Sequence, residues 1–150
     1  MVTVSLPIPD RCLSPNARSH WAIRSKAAKR IHAVAFCETA EVLHDLTIHG
    51  GTISRRDFRS AATLGVRCRW FFRDRRRRDA DNLLASMKHA FDGIAKAIEV
   101  DDRIFVHWPA VVGYDRERPR VEVDIWPMDL EGQGATACIA SPSSAPIRRS

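Results

Sequence analysis

Four consecutive arginines, Arg75 to Arg78, run directly into Asp79-Ala80-Asp81-Asn82. Carboxylates at i and i+2 fall on the same side of an extended segment, where like charges repel. A hard divalent cation relieves that repulsion, because Mg²⁺ prefers carboxylate oxygens. The adjacent arginines point to a polyanion as the third party, so the chemistry that fits is a metal-assisted reaction on nucleic acid. Phosphodiester cleavage needs an activated water and stabilisation of charge on the phosphorane and the leaving oxygen, and carboxylate-held Mg²⁺ serves both with one or two ions. Asp79 and Asp81 are two candidate ligands, and Asp101-Asp102 is the candidate source of a third. The competing reading is a surface ion-pair network. Exposed pairs are worth under about 1 kcal/mol each, which gives little reason for so dense a motif.

The elements that must position these residues follow from periodicity. Leu64, Val66, Cys68 and Trp70 alternate with Gly65, Arg67, Arg69 and Phe71, which predicts a strand delivering the chain into Arg73 to Asp81. A helix is expected from near Asp81, whose carboxylate would cap it, with Leu83, Leu84, Met87, Ala90, Phe91, Ile94 and Ile98 as its apolar stripe. On one continuous helix Asp81 and Lys88 share a face, with an axial separation of roughly 10 Å. An ordinary solvent-exposed lysine satisfies the same spacing.

Upstream, Val2, Val4 and Leu6 read as a short strand ended by Pro7 and Pro9. A loop with Pro15-Asn16 as its turn leads to Ser19, a candidate cap for a helix from about Trp21 to Asp45. Arg24, Lys26, Lys29 and Arg30 crowd that helix's first half, the unfavourable end for its dipole. They form either a solvated polar face or one that holds phosphates together with Asn16 and Arg18. Thr47 to Ala62 reads as a turn and irregular chain, with a short strand around Thr52 to Ser54. Ile104 to Val112 reads as a strand in which Pro109 marks an edge, bulge or break. A turn over Tyr114 to Pro119 then makes a hairpin with Val121, Val123 and Ile125. Past Met128 the composition shifts to Gly, Ala, Ser and Pro, as in a flexible tail.

A chain of 150 residues predicts one domain, here 1–128, with a tail over 129–150. The formal charge of +6 favours a phosphate-rich partner. Cys12, Cys37, Cys68 and Cys138 are scattered without a C-x-x-C pair, which predicts reduced, mostly buried thiols in a cytosolic protein. No apolar run approaches eighteen residues and no signal-type N-terminus is present, so no membrane partner is expected.

Asp74 to Asn82, then Lys88-His89-Ala90-Phe91-Asp92, then Asp101-Asp102, together resemble the RusA family of Holliday junction endonucleases. The strand, the loop ending in Ser14-Pro15-Asn16-Ala17-Arg18 and the basic helix are similar to phage-type members, so the likeness extends loosely over Val2 to Met128. The resemblance implies a small α/β (α+β) fold, a mixed sheet packed with two main helices, and a homodimer. It implies resolution of four-way junction DNA by paired, Mg²⁺-dependent nicks in recombination and repair, with Mn²⁺ as a possible substitute and no nucleotide cofactor. Carried over by position, Asp79, Asp81 and Asp102 would be the metal-binding carboxylates and Lys88 the active-site lysine. Arg78 and Asn82 match positions beside the metal site and would help orient DNA. Arg75, Arg76 and Arg77, with Lys26, Lys29 and Arg30, are the expected phosphate contacts. One departure stands out: many members place the lysine four residues after the second aspartate, and here the gap is seven. The alternative is a non-catalytic DNA-binding protein on the same fold.

Overall fold

The computed structural model describes residues 1–48 and 54–128. Strand β1 (Val2–Leu6) leads through a 3₁₀ turn (Arg11–Leu13) into helix α1 (Trp21–Ile48). Helix α2 (Arg55–Ser60), strand β2 (Thr63–Phe72), helices α3 (Ala80–Ser86) and α4 (Lys88–Ile98), and strands β3 (Phe105–Tyr114) and β4 (Arg120–Met128) follow. The fold is mixed α/β. The sheet order is β1-β4-β2-β3, with β4 antiparallel to both its neighbours and β3 parallel to β2.

Period-two alternation sets the buried face of the sheet. Val2, Val4 and Leu6, then Leu64, Val66, Cys68, Trp70 and Phe72, then Val121, Val123 and Ile125, all point into one core. Helices α1 and α4 close that core with Ala27, Ile31, Ala35 and Leu43 from one and Ala90, Phe91, Ile94 and Ile98 from the other. They approach closely at Gly93, where an added methyl would overlap the His32 carbonyl oxygen. The opposite face of the sheet is polar and charged. There Asp124 is fully buried beneath Arg67 and Arg69 (Arg69 Nε to Asp124 Oδ2, 2.9 Å), and Thr3 donates to Asp124 at 2.8 Å.

Several expectations change. The expected hairpin does not form, because β2 lies between β3 and β4. The intervening loop passes the end of β2 instead, and the Asp115 amide donates to the Phe72 carbonyl at 2.8 Å. Pro109 does sit on an edge strand and at a bulge: between the pairs Arg67–Trp108 and Arg69–Val111, β3 carries one extra residue. The irregular chain expected before Ala62 contains helix α2, whose Ser54 amide donates to the Asp57 carboxylate (2.7 Å) in a capping box. The strand expected over Thr52 to Ser54 falls mostly outside the described residues, as does the tail over 129–150. His20, rather than Ser19, opens α1: its ring accepts from the Ala22 amide (3.3 Å) and its carbonyl from Arg24 (3.2 Å). Of the described cysteines only Cys68 is buried, its thiol pushed up to about 12 by that burial, and Cys37 is exposed. Among the described residues no helix is long and apolar enough to cross a membrane.

Candidate functional site

The expected single helix after Asp81 is two helices with a corner at Met87. There the amide of Met87 reaches back to the Leu84 carbonyl (3.0 Å), and its own carbonyl accepts from Ala90 (2.8 Å) and Phe91 (3.0 Å). Met87 is fully buried, so the corner is anchored in the core. Lys88 therefore stands at the first position of α4 and not two turns along a helix that begins at Asp81.

The cap of α3 is Asp79 in place of Asp81. Asp79 Oδ1 accepts from the Asp81 amide (3.0 Å) and Oδ2 from Asn82 Nδ2 (3.0 Å). Asn82 Oδ1 in turn accepts from Asn16 Nδ2 (3.3 Å), which ties the Ser14–Arg18 loop to the start of α3. With its own amide satisfied by Asp79, Asp81 is free to project outward.

Asp81, Lys88 and Asp102 line one open cleft of about 330 Å³, along with Leu84, Ala85, Phe91, Phe105 and His107. Asp102 thus joins Asp81 and Lys88 around one space, whereas Asp79, expected as a third ligand, is not among the residues lining it and has both oxygens engaged in the cap. Neither Asp81 nor Asp102 is paired with a cation among the described residues; the nearby Arg78 and Arg103 pair with Asp74 and Asp101 instead. Among the described residues no three His, Cys, Asp or Glu side chains are arranged to hold a metal ion by themselves.

His107 was not anticipated from sequence. It lies two residues beyond the buried Phe105 on the same face of β3, so strand alternation alone places it on the cleft side. Its ring packs on Phe91 with centroids 4.7 Å apart. Burial pushes its pKa down, and the Asp102 carboxylate pulls it partly back.

The arginines divide. Arg75, Arg76 and Arg77 are exposed, with Arg75 lying over the Tyr114 ring (5.3 Å), whereas the Arg78 guanidinium folds back onto its own loop. The basic half of α1 divides as well. Arg24 lines a groove with Pro15, His89 and Lys88 that abuts the acidic cleft, while Lys26 and Arg30 line a separate depression with Asp10 and Arg11. Lys29 is exposed.

No protein-family model matches the chain. Over 131 residues it is 37% identical to an uncharacterized protein of Xylella fastidiosa strain Temecula1, an alignment that covers 83% of this chain and 76% of that protein.

Proposed function

This chain belongs to the same family as that Xylella protein, and we propose that it is a RusA-type, Mg²⁺-dependent endodeoxyribonuclease acting on four-way DNA junctions. The observation that carries the reading is the convergence of Asp81, Lys88 and Asp102 on one cleft, in a chain whose exposed arginines run into the helix that carries Asp81. Hard carboxylate oxygens without cation partners fit a hard divalent ion. Two in one cleft is what Mg²⁺ commonly uses, since it keeps several waters and takes its remaining ligands from substrate phosphate. Asp79, with both oxygens engaged in the cap, is kept as a further candidate ligand through its remaining lone pairs.

When bound, the ion supplies an activated water and neutralises charge on the phosphorane and leaving oxygen. The chain's own residues do the rest. Lys88 carries its charge at the positive end of α4, an arrangement relieved when an anion such as a phosphate oxygen sits there. Arg75, Arg76 and Arg77 grip flanking phosphates, giving affinity without sequence information, and Lys26, Lys29 and Arg30 are candidates for outlying contacts. Asn82 holds Asp79 and the Ser14–Arg18 loop in register.

A four-way junction is two-fold symmetric in its strand exchange, so a C₂ dimer presents two equivalent sites to two strands. Strand β3 offers the surface for such a dimer. It is an unpaired edge on which Val106, Trp108, Val111, Val112 and Tyr114 are 41–50% exposed. We place the activity in the cytoplasm, in recombination and repair. A second reading, a junction-binding protein without catalysis, is favoured by the lack of a three-ligand group among the described residues.

One assay separates the two. A synthetic four-way junction and a linear duplex of the same sequence are incubated with the protein in Mg²⁺, in Mn²⁺ and in EDTA. Metal-dependent, paired nicking of the junction alone is expected. Binding without nicking in either metal selects the non-catalytic reading.

A further inference from the structure

Arg78 makes a set of contacts that a phosphate-gripping arginine would not need. Its Nη2 donates to Asp74 Oδ1 (2.8 Å), and its Nη1 donates to the Arg76 carbonyl (2.9 Å). The guanidinium stacks on the Phe72 ring at 3.6 Å from the centroid. Phe72 is itself buried and stacked on Trp70, with centroids 5.6 Å apart, so the stack runs into the core. Asp74 Oδ1 also accepts from the Arg76 amide (3.0 Å), and that hydrogen bond, followed by the one from Arg78, holds the Asp74 carboxyl below its ordinary range. The Arg78 side chain is only 23% exposed. The loop leaving β2 is thereby closed on itself, and the residue that closes it is the immediate neighbour of the Asp79 cap.

We infer that Arg78 is a positioning residue: with Asp74 and Phe72 it clasps the 73–78 loop and so sets where Asp79 and Asp81 stand relative to Lys88 and Asp102. The inference rests on the proposed nuclease reading for its consequence but on the loop geometry for its substance. A guanidinium suits the task because one planar group can stack on a ring while donating in its plane to a carboxylate and a carbonyl. A lysine can do neither the fork nor the stack. Arg75, Arg76 and Arg77 remain as the phosphate-facing members of the run. The four arginines thus do two different jobs.

The test compares Arg78→Ala, Arg78→Lys, Asp74→Asn and the Arg78→Ala/Asp74→Asn double variant with Arg77→Ala. In EDTA, the slope of log affinity against log salt for a four-way junction should be unchanged in the Arg78 variants. It should become shallower by roughly 0.9 in Arg77→Ala. At saturating protein in Mg²⁺, nicking of bound junction should fall roughly tenfold to a hundredfold in Arg78→Ala and Asp74→Asn alike. The double variant should be no slower than either single one, because the clasp is already open. Arg78→Lys should not rescue.

Amide hydrogen exchange at Arg76 and Asp81 supplies a readout independent of catalysis. Both amides should exchange faster in Arg78→Ala and Asp74→Asn than in the parent. If the parent does not nick, the nuclease reading fails, and the exchange rates and salt slope alone decide the clasp. A salt slope that falls in Arg78→Ala with nicking per bound complex preserved makes Arg78 a phosphate contact and overturns the inference. Unchanged exchange at both amides overturns it as well.

Discussion

At the residue scale, the carboxylates have distinct stations. Asp79 spends its oxygens on the start of α3, and Asp81 and Asp102 face the cleft. A site with two cleft carboxylates should bind Mg²⁺ weakly alone and more tightly with a phosphate present, and by linkage Mg²⁺ should tighten junction binding by the same factor. Calorimetry of Mg²⁺ binding to the Lys88→Ala protein, with and without junction, checks this without turnover. Equal affinities in both states would argue for a preformed cage. Asp81→Asn should abolish nicking and leave junction affinity in EDTA within about threefold, since it removes no phosphate contact; lost binding with cleavage per complex retained would contradict the assignment. A further residue-scale expectation concerns Asp124. Burial alone pushes its carboxyl up, but hydrogen bonds from Arg69 and Thr3, then the Arg69 charge and the Arg67 hydrogen bond, outweigh burial and leave it lowered. A lowered native pKa stabilises the fold above the unfolded value of about 3.9, and the contribution is lost as pH falls through the native value. Urea midpoints should therefore drop below about pH 4, and Asp124→Asn should flatten that drop while costing about 2–4 kcal/mol at neutral pH.

At the element scale, α1 and α4 approach closely at Gly93. Gly93→Ala gains helix propensity of about 0.5–1 kcal/mol but drives a methyl into the His32 carbonyl, so a net loss of about 1–3 kcal/mol is expected in chemical denaturation. A neutral or stabilising result would mean that the helices can part at no cost. The elements also show what sequence can carry. Alternation found β1, β2 and β4 because each has one buried face, and it located the edge character of β3 through Pro109. Strand pairing was not legible: a short turn after β3 looks like a hairpin whether or not another strand lies between the two arms. Helix α2 was missed because six residues with one buried apolar side chain, Phe58, show no period. Its capping pair, Ser54 with Asp57, was the readable sign. The corner at Met87 left no mark either, since the apolar stripe runs through it. The site followed the same rule. Local motifs pointed to Asp79, Asp81, Lys88 and Asp102, of which the last three line the cleft, and strand alternation could have pointed to His107, but which acid caps and which faces outward depended on where α3 begins.

At the scale of the whole molecule, one face of the sheet is covered by helices and the other carries charges that are largely paired with one another. Exposed apolar side chains lie in a row on β3, and others, Trp21, Ile23 and Ile48, on α1. If that edge joins two copies, Val112→Lys should yield a folded monomer by sedimentation velocity, because a charge on an edge strand blocks pairing. Paired nicking of one junction should then become single, uncoordinated nicks. A dimer that survives Val112→Lys and Val111→Lys would place the contact on another surface.

The corner at Met87 bears on the seven-residue interval between Asp81 and Lys88. Where a single rod carries both groups, adding or removing residues swings one away from the other by 100° each time. Here the helix is interrupted at Met87, and Lys88 opens the second segment, which packs against the first long helix. Tally along the chain alone then does not fix how the Lys88 ammonium group stands to the Asp81 carboxylate.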